Sequence, residues 1–207
     1  MSVSVVVLAA GKGTRMKSDL PKVLHKVLGK SLLAHSLDAL SFVNNQYVVV
    51  GHESDKVVNS LPPTTKHILQ KDQLGTGHAV STVINSDLFI ENKSELTLVV
   101  PGDVPAIDFK DIELLISEVK TKSSSVGFLT SIIENPYGYG RVIRNNEEIR
   151  IVEEKDCNDD ERKINEINSG IYCFNTDFLI KNIDSLDTKN AQGEFYLTDL
   201  IGIANNQ

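Results

Sequence analysis

The sequence has no tryptophan and only two cysteines, Cys157 and Cys173. These form no C-x-x-C pair, so the redox and zinc motifs built on that spacing are missing. A buried or an exposed thiol fits them better than a catalytic one. No apolar run reaches the roughly 18 residues of a membrane-spanning helix. Met1-Ser2-Val3-Ser4 carries no basic side chain, and the apolar segment Val5 to Ala10 is too short for a signal-peptide core. These absences predict a cytoplasmic chain with reduced thiols and no membrane partner. The five histidines never form H-E-x-x-H. His78 reads as a structural hydrogen-bonding residue rather than a base. The run Asp156-Cys157-Asn158-Asp159-Asp160 lacks the later glycine and glutamate of a calcium loop, having Glu161 and Ile167 there, and reads as a solvated loop.

Charge is scarce in one sign. The 207 residues carry a net charge of −7, which argues against a nucleic-acid surface. Yet Lys12, Arg15, Lys17, Lys22, Lys26 and Lys30 face one anion, Asp19, within a single window of charge +5, leaving −12 for the rest. A positive spot on an acidic protein suits a compact anion better than a long polyanion; a solvated basic face is the plainer alternative.

The remaining pattern is that of one domain, large enough to bury a core without staples. Ser4 to Ala9 is β-branched and continuous, the signature of a strand buried on both faces, and it stops at Gly11. Strands are also predicted at Tyr47 to Val50, His67 to Gln70, Leu96 to Val100, Ser125 to Ile133 and Ile167 to Phe174. Helices are predicted at Ser31 to Phe42, Ser54 to Leu61, Thr76 to Ile84, Asp108 to Lys120, Thr176 to Asn182 and Glu194 to Ala204. Alternation of strand and helix predicts an α/β fold, a Rossmann-like, mostly parallel sheet flanked by helices. Gly140 to Ile143 and Ile149 to Glu153 flank Asn145-Asn146 and predict a small β-hairpin subregion.

The first strand runs into "LAAGKGTRM" and then "LPKVL". Gly11 and Gly13 let backbone N–H groups approach a ligand, and Arg15 and Lys22 add charge-assisted bonds to phosphate. Neither common phosphate motif is present: G-x-x-x-x-G-K-[ST] is absent, and Met16 breaks G-x-G-x-x-G. Taken whole, this stretch resembles the signature of the sugar-phosphate nucleotidyltransferases. "QKDQLGTGHA", "PGDVP", "NPYGYGRVIR", "IVEEKD", "EINSGIYCF" and "NAQGEFYLTD" follow in order. Together they resemble the uridylyltransferase domains of bacterial N-acetylglucosamine-1-phosphate uridyltransferases, from Val3 to about Ala204.

The resemblance implies transfer of a uridylyl group from UTP to N-acetylglucosamine 1-phosphate, giving UDP-N-acetylglucosamine for peptidoglycan and lipopolysaccharide precursors. It implies backbone contacts to the nucleotide from Leu8, Ala9, Ala10 and Gly11. Arg15 would neutralise the β- and γ-phosphates, and Lys22 would hold oxygens at the reacting phosphorus. Gln70, Gly75 and Thr76 match uridine-contacting positions, and Asp103 matches a ligand of Mg²⁺. Gly140, Glu153 and Asn168 match the amino-sugar site, with Tyr196 and Thr198 open between lining that site and packing at the start of the last helix. The acetyltransferase half of these enzymes, a left-handed β-helix of hexapeptide repeats, is not found, and a monomer is expected without it. The family's domain continues beyond the position of Gln207, with an Asn that is a second metal ligand, so a truncated domain is expected. The alternatives are the same chemistry on another base or sugar, or a nucleotide-sugar-binding module with little activity.

Overall fold

The computed structural model describes residues 2–13, 16–145 and 148–205. In chain order the elements are β1 (Val3–Ala9), the short pair β2 (Lys26–Val27) and β3 (Lys30–Ser31), α1 (Leu32–Ala39), β4 (Asn45–Val50), α2 (Ser54–Val58) and β5 (Lys66–Leu69). Next come α3 (Thr76–Ile84), α4 (Asp87–Ile90), β6 (Leu96–Pro101), α5 (Phe109–Thr121), β7 (Val126–Ile132), β8 (Arg141–Asn145), β9 (Glu148–Val152), β10 (Glu166–Asn175), α6 (Thr176–Asn182) and α7 (Asp199–Ala204).

The sheet is mixed, in the order β5-β4-β1-β6-β10-β8-β9, with β7 on the free edge of β10. β5, β4, β1 and β6 run parallel; β10 is antiparallel to β6, to β7 and to β8. The parallel half has the residues predicted for it. Successive valines of β1 alternate between two cores: Val5, Val7 and Ala9 pack with Leu33, Leu37 and Ile112 of α1 and α5, whereas Val6 packs with Val80 and Val83 of α3. Each fully buried Val or Leu contributes about 1.5–3 kcal/mol, which is why the strands read as unbroken apolar runs.

Helix starts follow their caps. Ser31 accepts from Ala34 N at 3.1 Å, and Asp108 accepts from Lys110 N at 2.9 Å. β2 and β3, too short to show a period, were not legible beforehand. The hairpin of β8 and β9 forms as expected, its turn residue Asn146 lying outside the described residues.

Two expectations are corrected. The last helix begins at Asp199, not Glu194. Phe195 donates its N–H to Leu74 O at 2.8 Å, and its carbonyl accepts from Gly77 N at 2.8 Å. The backbone of this strap is thus bonded to the start of α3 rather than to its own next turn. The segment Asp156 to Arg162 is not simply a solvated loop either. Cys157 and Glu161 are buried, Glu161 accepts from Asn158 N at 2.8 Å and from Arg150 at 2.6 Å, and Asp156 Oδ1 accepts from Ala191 N at 2.8 Å. Both cysteines are free and buried, and burial pushes the Cys173 thiol up to about 12. Neither has the low-pKa, accessible environment of a reactive thiol. Among the described residues no helix is long and apolar enough to cross a membrane.

Candidate active site

A cavity of about 980 Å³ opens at the carboxyl ends of β1 and β6, where ligands collect in open α/β sheets. Leu8, Ala10 and Gly11 line it from β1 and the following loop, Lys12 and Lys22 from the cationic segment, and Pro101 and Asp103 from the end of β6. Gln70, Gly75 and Thr76 close one side; Glu153, Asn168 and Thr198 close the other. Most of the predicted site residues, spread from Leu8 to Thr198, therefore meet in one place.

The loop owes its shape to Gly13. Its φ is +60°, and a Cβ there would lie 2.6 Å from the Cβ of Lys22. Only glycine permits both that backbone angle and that approach. Pro21 leads into a 3-10 turn over Lys22–Leu24 that buries Val23, so the base of the lysine is anchored while its ammonium reaches the cavity. A Cβ on Gly11 would meet nothing within 4 Å among the described residues, so the space beside it is open to a ligand. Arg15 lies outside the described residues.

Lys22 forms an ion pair with Asp103. Their side chains are 40% and 23% exposed, so the pair is worth about 1 kcal/mol or less. A triphosphate, with several negative charges to offer the ammonium, can open it readily. Asp103 follows a buried strand and faces a cavity large enough for phosphates. Among the described residues no group of three His, Cys, Asp or Glu forms an all-protein metal cage. One carboxylate beside phosphate oxygens is a donor set that fits a hard divalent cation carried on its substrate.

Gln70 is buried beside the start of α3. Its Nε2 donates to Gly75 O at 3.3 Å and lies 2.9 Å from His78 Nδ1. Both contacts use the amide nitrogen, so a uracil contact through Gln70 would run through its carbonyl oxygen. His78 is the structural partner predicted. Gly75 is required for a reason other than making room for a base. Its φ is +110°, and a Cβ would stand 2.6 Å from Phe195 O and 2.9 Å from Phe195 N. Gly75→Ala is therefore expected to lose about 3 kcal/mol, because backbone atoms cannot swing aside. Thermal melts should show a fall in Tm on the order of 10 °C. Thr76 accepts from Leu197 N at 3.2 Å through its hydroxyl, which pins the same strap.

At the far end, Glu153 accepts from Thr198 Oγ1 at 3.4 Å. Burial raises its carboxyl above the usual range; the Thr198 bond lowers it in part, and the charges of Asp156, Asp199 and Glu194 raise it further. Asn168 donates to Tyr172 OH at 2.6 Å and accepts from Gly170 N at 3.0 Å. It stands at a bulge where β10 slips register against β7 between Asn168 and Tyr172, in the stretch between its pairing with β8 at Ile167 and with β6 from Tyr172. Gly140 does not line the cavity but lies behind it: its carbonyl accepts from Asn168 N at 2.9 Å, and a Cβ would stand 3.3 Å from Glu153 Oε2.

Besides Gly140, the side chains of Ala9 and Tyr196 do not line the cavity. The Ala9 side chain packs in the opposite core, which leaves its backbone, the part expected to contact the nucleotide, at the end of β1. Tyr196 donates to Asp156 Oδ2 at 3.1 Å and accepts from Gln192 Nε2 at 2.9 Å, away from the cavity lining. The cavity is also lined by Gln73 and Glu194, which were missed although both lie inside the quoted motifs. One end thus carries ammonium groups, and the other carries carboxylate, amide and hydroxyl groups.

Residues 5–143 match the MobA-like NTP transferase domain. The chain belongs to that family. Over 207 aligned residues it is 49% identical to the bifunctional protein GlmU of Lactococcus lactis subsp. lactis, covering 98% of this chain and 44% of that protein. It is 47% identical to the bifunctional protein GlmU of Fervidobacterium nodosum over 202 residues, again 98% of this chain and 44% of the relative. The chain thus spans less than half the length of these relatives. Among solved structures, UDP-glucose pyrophosphorylase complexed with UDP-glucose has a TM-score of 0.77 at 17% identity, covering 100% of this chain and 88% of that one. HddC from Yersinia pseudotuberculosis has a TM-score of 0.68 at 21% identity, covering 96% and 84%. At such identities these two share the fold with this nucleotidyltransferase domain.

Proposed function

We propose that this domain joins UTP to N-acetylglucosamine 1-phosphate, with Mg²⁺ as the divalent ion, giving UDP-N-acetylglucosamine and pyrophosphate. The observation that carries this reading is the two-ended cavity. Its Lys12 and Lys22 end suits phosphates, and its Glu153, Asn168 and Thr198 end offers hydrogen bonds to a polyol. A nucleotide sugar has that same division, and the motif residues lie at both ends.

In the reaction a phosphate oxygen of the sugar phosphate attacks the α-phosphorus of UTP, and the bond from that phosphorus to the bridging oxygen breaks. The electron pair leaves with pyrophosphate. Both reactants are anions, so the site must first suppress their repulsion and then stabilise charge on the leaving group. Lys22 does both as a compact point charge that follows the moving density. Mg²⁺, held by Asp103 and phosphate oxygens, supplies further neutralisation when bound. No covalent intermediate on the protein is needed; orientation supplies much of the remainder.

Pyrophosphate release measured with UTP, dTTP, CTP and ATP, each with N-acetylglucosamine 1-phosphate, tests the reading. UTP is expected to be preferred at least about tenfold, the discrimination a few well-placed hydrogen bonds provide. Preference for another triphosphate would overturn the base assignment. UTP binding by calorimetry without turnover at any Mg²⁺ concentration would make this a binding module.

A further inference from the structure

Arg141 is the largest fully buried side chain among the described residues. It sits where three strands meet, opposite Val152 on β9 and Ile167 on β10. One step toward the cavity along each strand brings Gly140, Glu153 and Asn168 into a single row. Glu153 and Asn168 line the sugar end, and Gly140 lies directly behind them. Neighbouring residues of a strand alternate faces, so the arginine lies beneath that row rather than in it.

We infer that Arg141 and Glu154 form a positioning pair that sets the floor of the sugar end; the inference rests on the reading of that end given under Proposed function. Arg141 Nη2 donates to Glu154 Oε2 at 2.7 Å, and Nη1 donates to Tyr139 O. The same Oε2 accepts from Gly138 N at 2.9 Å. One guanidinium and one carboxylate thus tie the loop before β8 at two successive residues, Gly138 and Tyr139. The turn is closed on its other side by Tyr139 N donating to Pro136 O at 3.2 Å.

Stability alone does not account for this arrangement. The Arg141 side chain is 2% exposed, and its Nε has no partner among the described residues. The Glu154 side chain is 19% exposed, and a largely buried ion pair with an unsatisfied donor often adds little net stability over apolar residues of the same volume. What it supplies is direction. A planar guanidinium holds two acceptors at fixed angles, which a lysine cannot reproduce. Gly140 follows that tied loop with Glu153 packed tightly against it, so displacement of the loop is passed to the Glu153 carboxylate.

The test uses Arg141→Lys and Glu154→Gln, each assayed for both KM values, for kcat, for UTP affinity by calorimetry and for Tm. The expected result is a KM for N-acetylglucosamine 1-phosphate raised about tenfold, since small misplacements of a positioned group carry penalties of that order or more. KM and calorimetric affinity for UTP stay within about twofold of the unsubstituted chain. Arg162→Ala removes an exposed arm lying 3.7 Å from the other Glu154 oxygen, together with its surface pair to Asp159, and should show no such split. If both KM values move together, or neither moves, the pair is merely structural and the inference fails. A split of equal size in Arg162→Ala would overturn it too. Should Arg141→Lys lose its cooperative melt, Glu154→Gln decides, because it keeps the side-chain shape and an acceptor for Gly138. If the unsubstituted chain turns over no N-acetylglucosamine 1-phosphate, the functional reading fails and takes the inference with it. Turnover with unsplit KM values removes the inference alone.

Discussion

Turnover by Lys22→Ala is expected to fall about 10³-fold while the chain folds normally. Loss of one preorganised charge-stabilising donor typically costs 10²–10³ in kcat, and the proposed role of Lys22 sets its ammonium at the reacting centre. Its side chain is 40% exposed, so the fold loses little when it is trimmed. The ion pair adds a second, opposite signature. In the structure the ammonium is paired with Asp103, the carboxylate proposed to hold the divalent ion. Removing the ammonium frees that carboxylate, so half-saturation by Mg²⁺ should shift to lower concentration, by about threefold for a pair of this exposure. Steady-state kinetics across a Mg²⁺ series, with Tm as control, reads both effects. Near-normal turnover would remove Lys22 from the reacting phosphate.

Asp103→Asn should give the reverse metal response. The amide keeps the shape and one oxygen but loses the charge that a hard cation requires. Turnover is expected to drop by about 10³-fold at ordinary Mg²⁺, with partial recovery at high Mg²⁺ because phosphate oxygens still offer ligands. Mn²⁺ titration of the protein with UTP, followed by electron paramagnetic resonance, should show weaker binding without any assay of activity. Unchanged Mn²⁺ affinity would exclude Asp103 as a ligand. The double variant should be far from additive, because the two residues share one contact and one task.

Much of this site was legible beforehand because local chemistry carries it. Gly11 and Gly13 with Lys22 mark a loop that can cradle an anion. The buried run Leu96 to Val100 ending in Pro101-Gly102-Asp103 places a carboxylate at a strand terminus. Helix α3 was read with the bounds it has, since Gly75 and the apolar period leave little choice. What was misread or left open here turned on distant partners. Glu194 to Thr198 was read as the start of a helix, but the N–H and carbonyl of Phe195 are claimed by Leu74 and Gly77. Tyr196, left open between lining the sugar end and packing, is buried with its hydroxyl donating to Asp156.

The sequence by itself determined the alternating strands and helices, the two-sided burial of β1, β4 and β6, and the residue types at both ends of the cavity. These follow from periodicity and from residue chemistry, which act over a few neighbours. Only the tertiary structure decided that Lys22 meets Asp103, that Gly75 is needed by the Phe195 backbone, and that a buried arginine lies under Gly140, Glu153 and Asn168. Such pairings depend on how distant strands are placed and registered against one another. That placement comes from packing of the whole sheet, and no local pattern of residues encodes it.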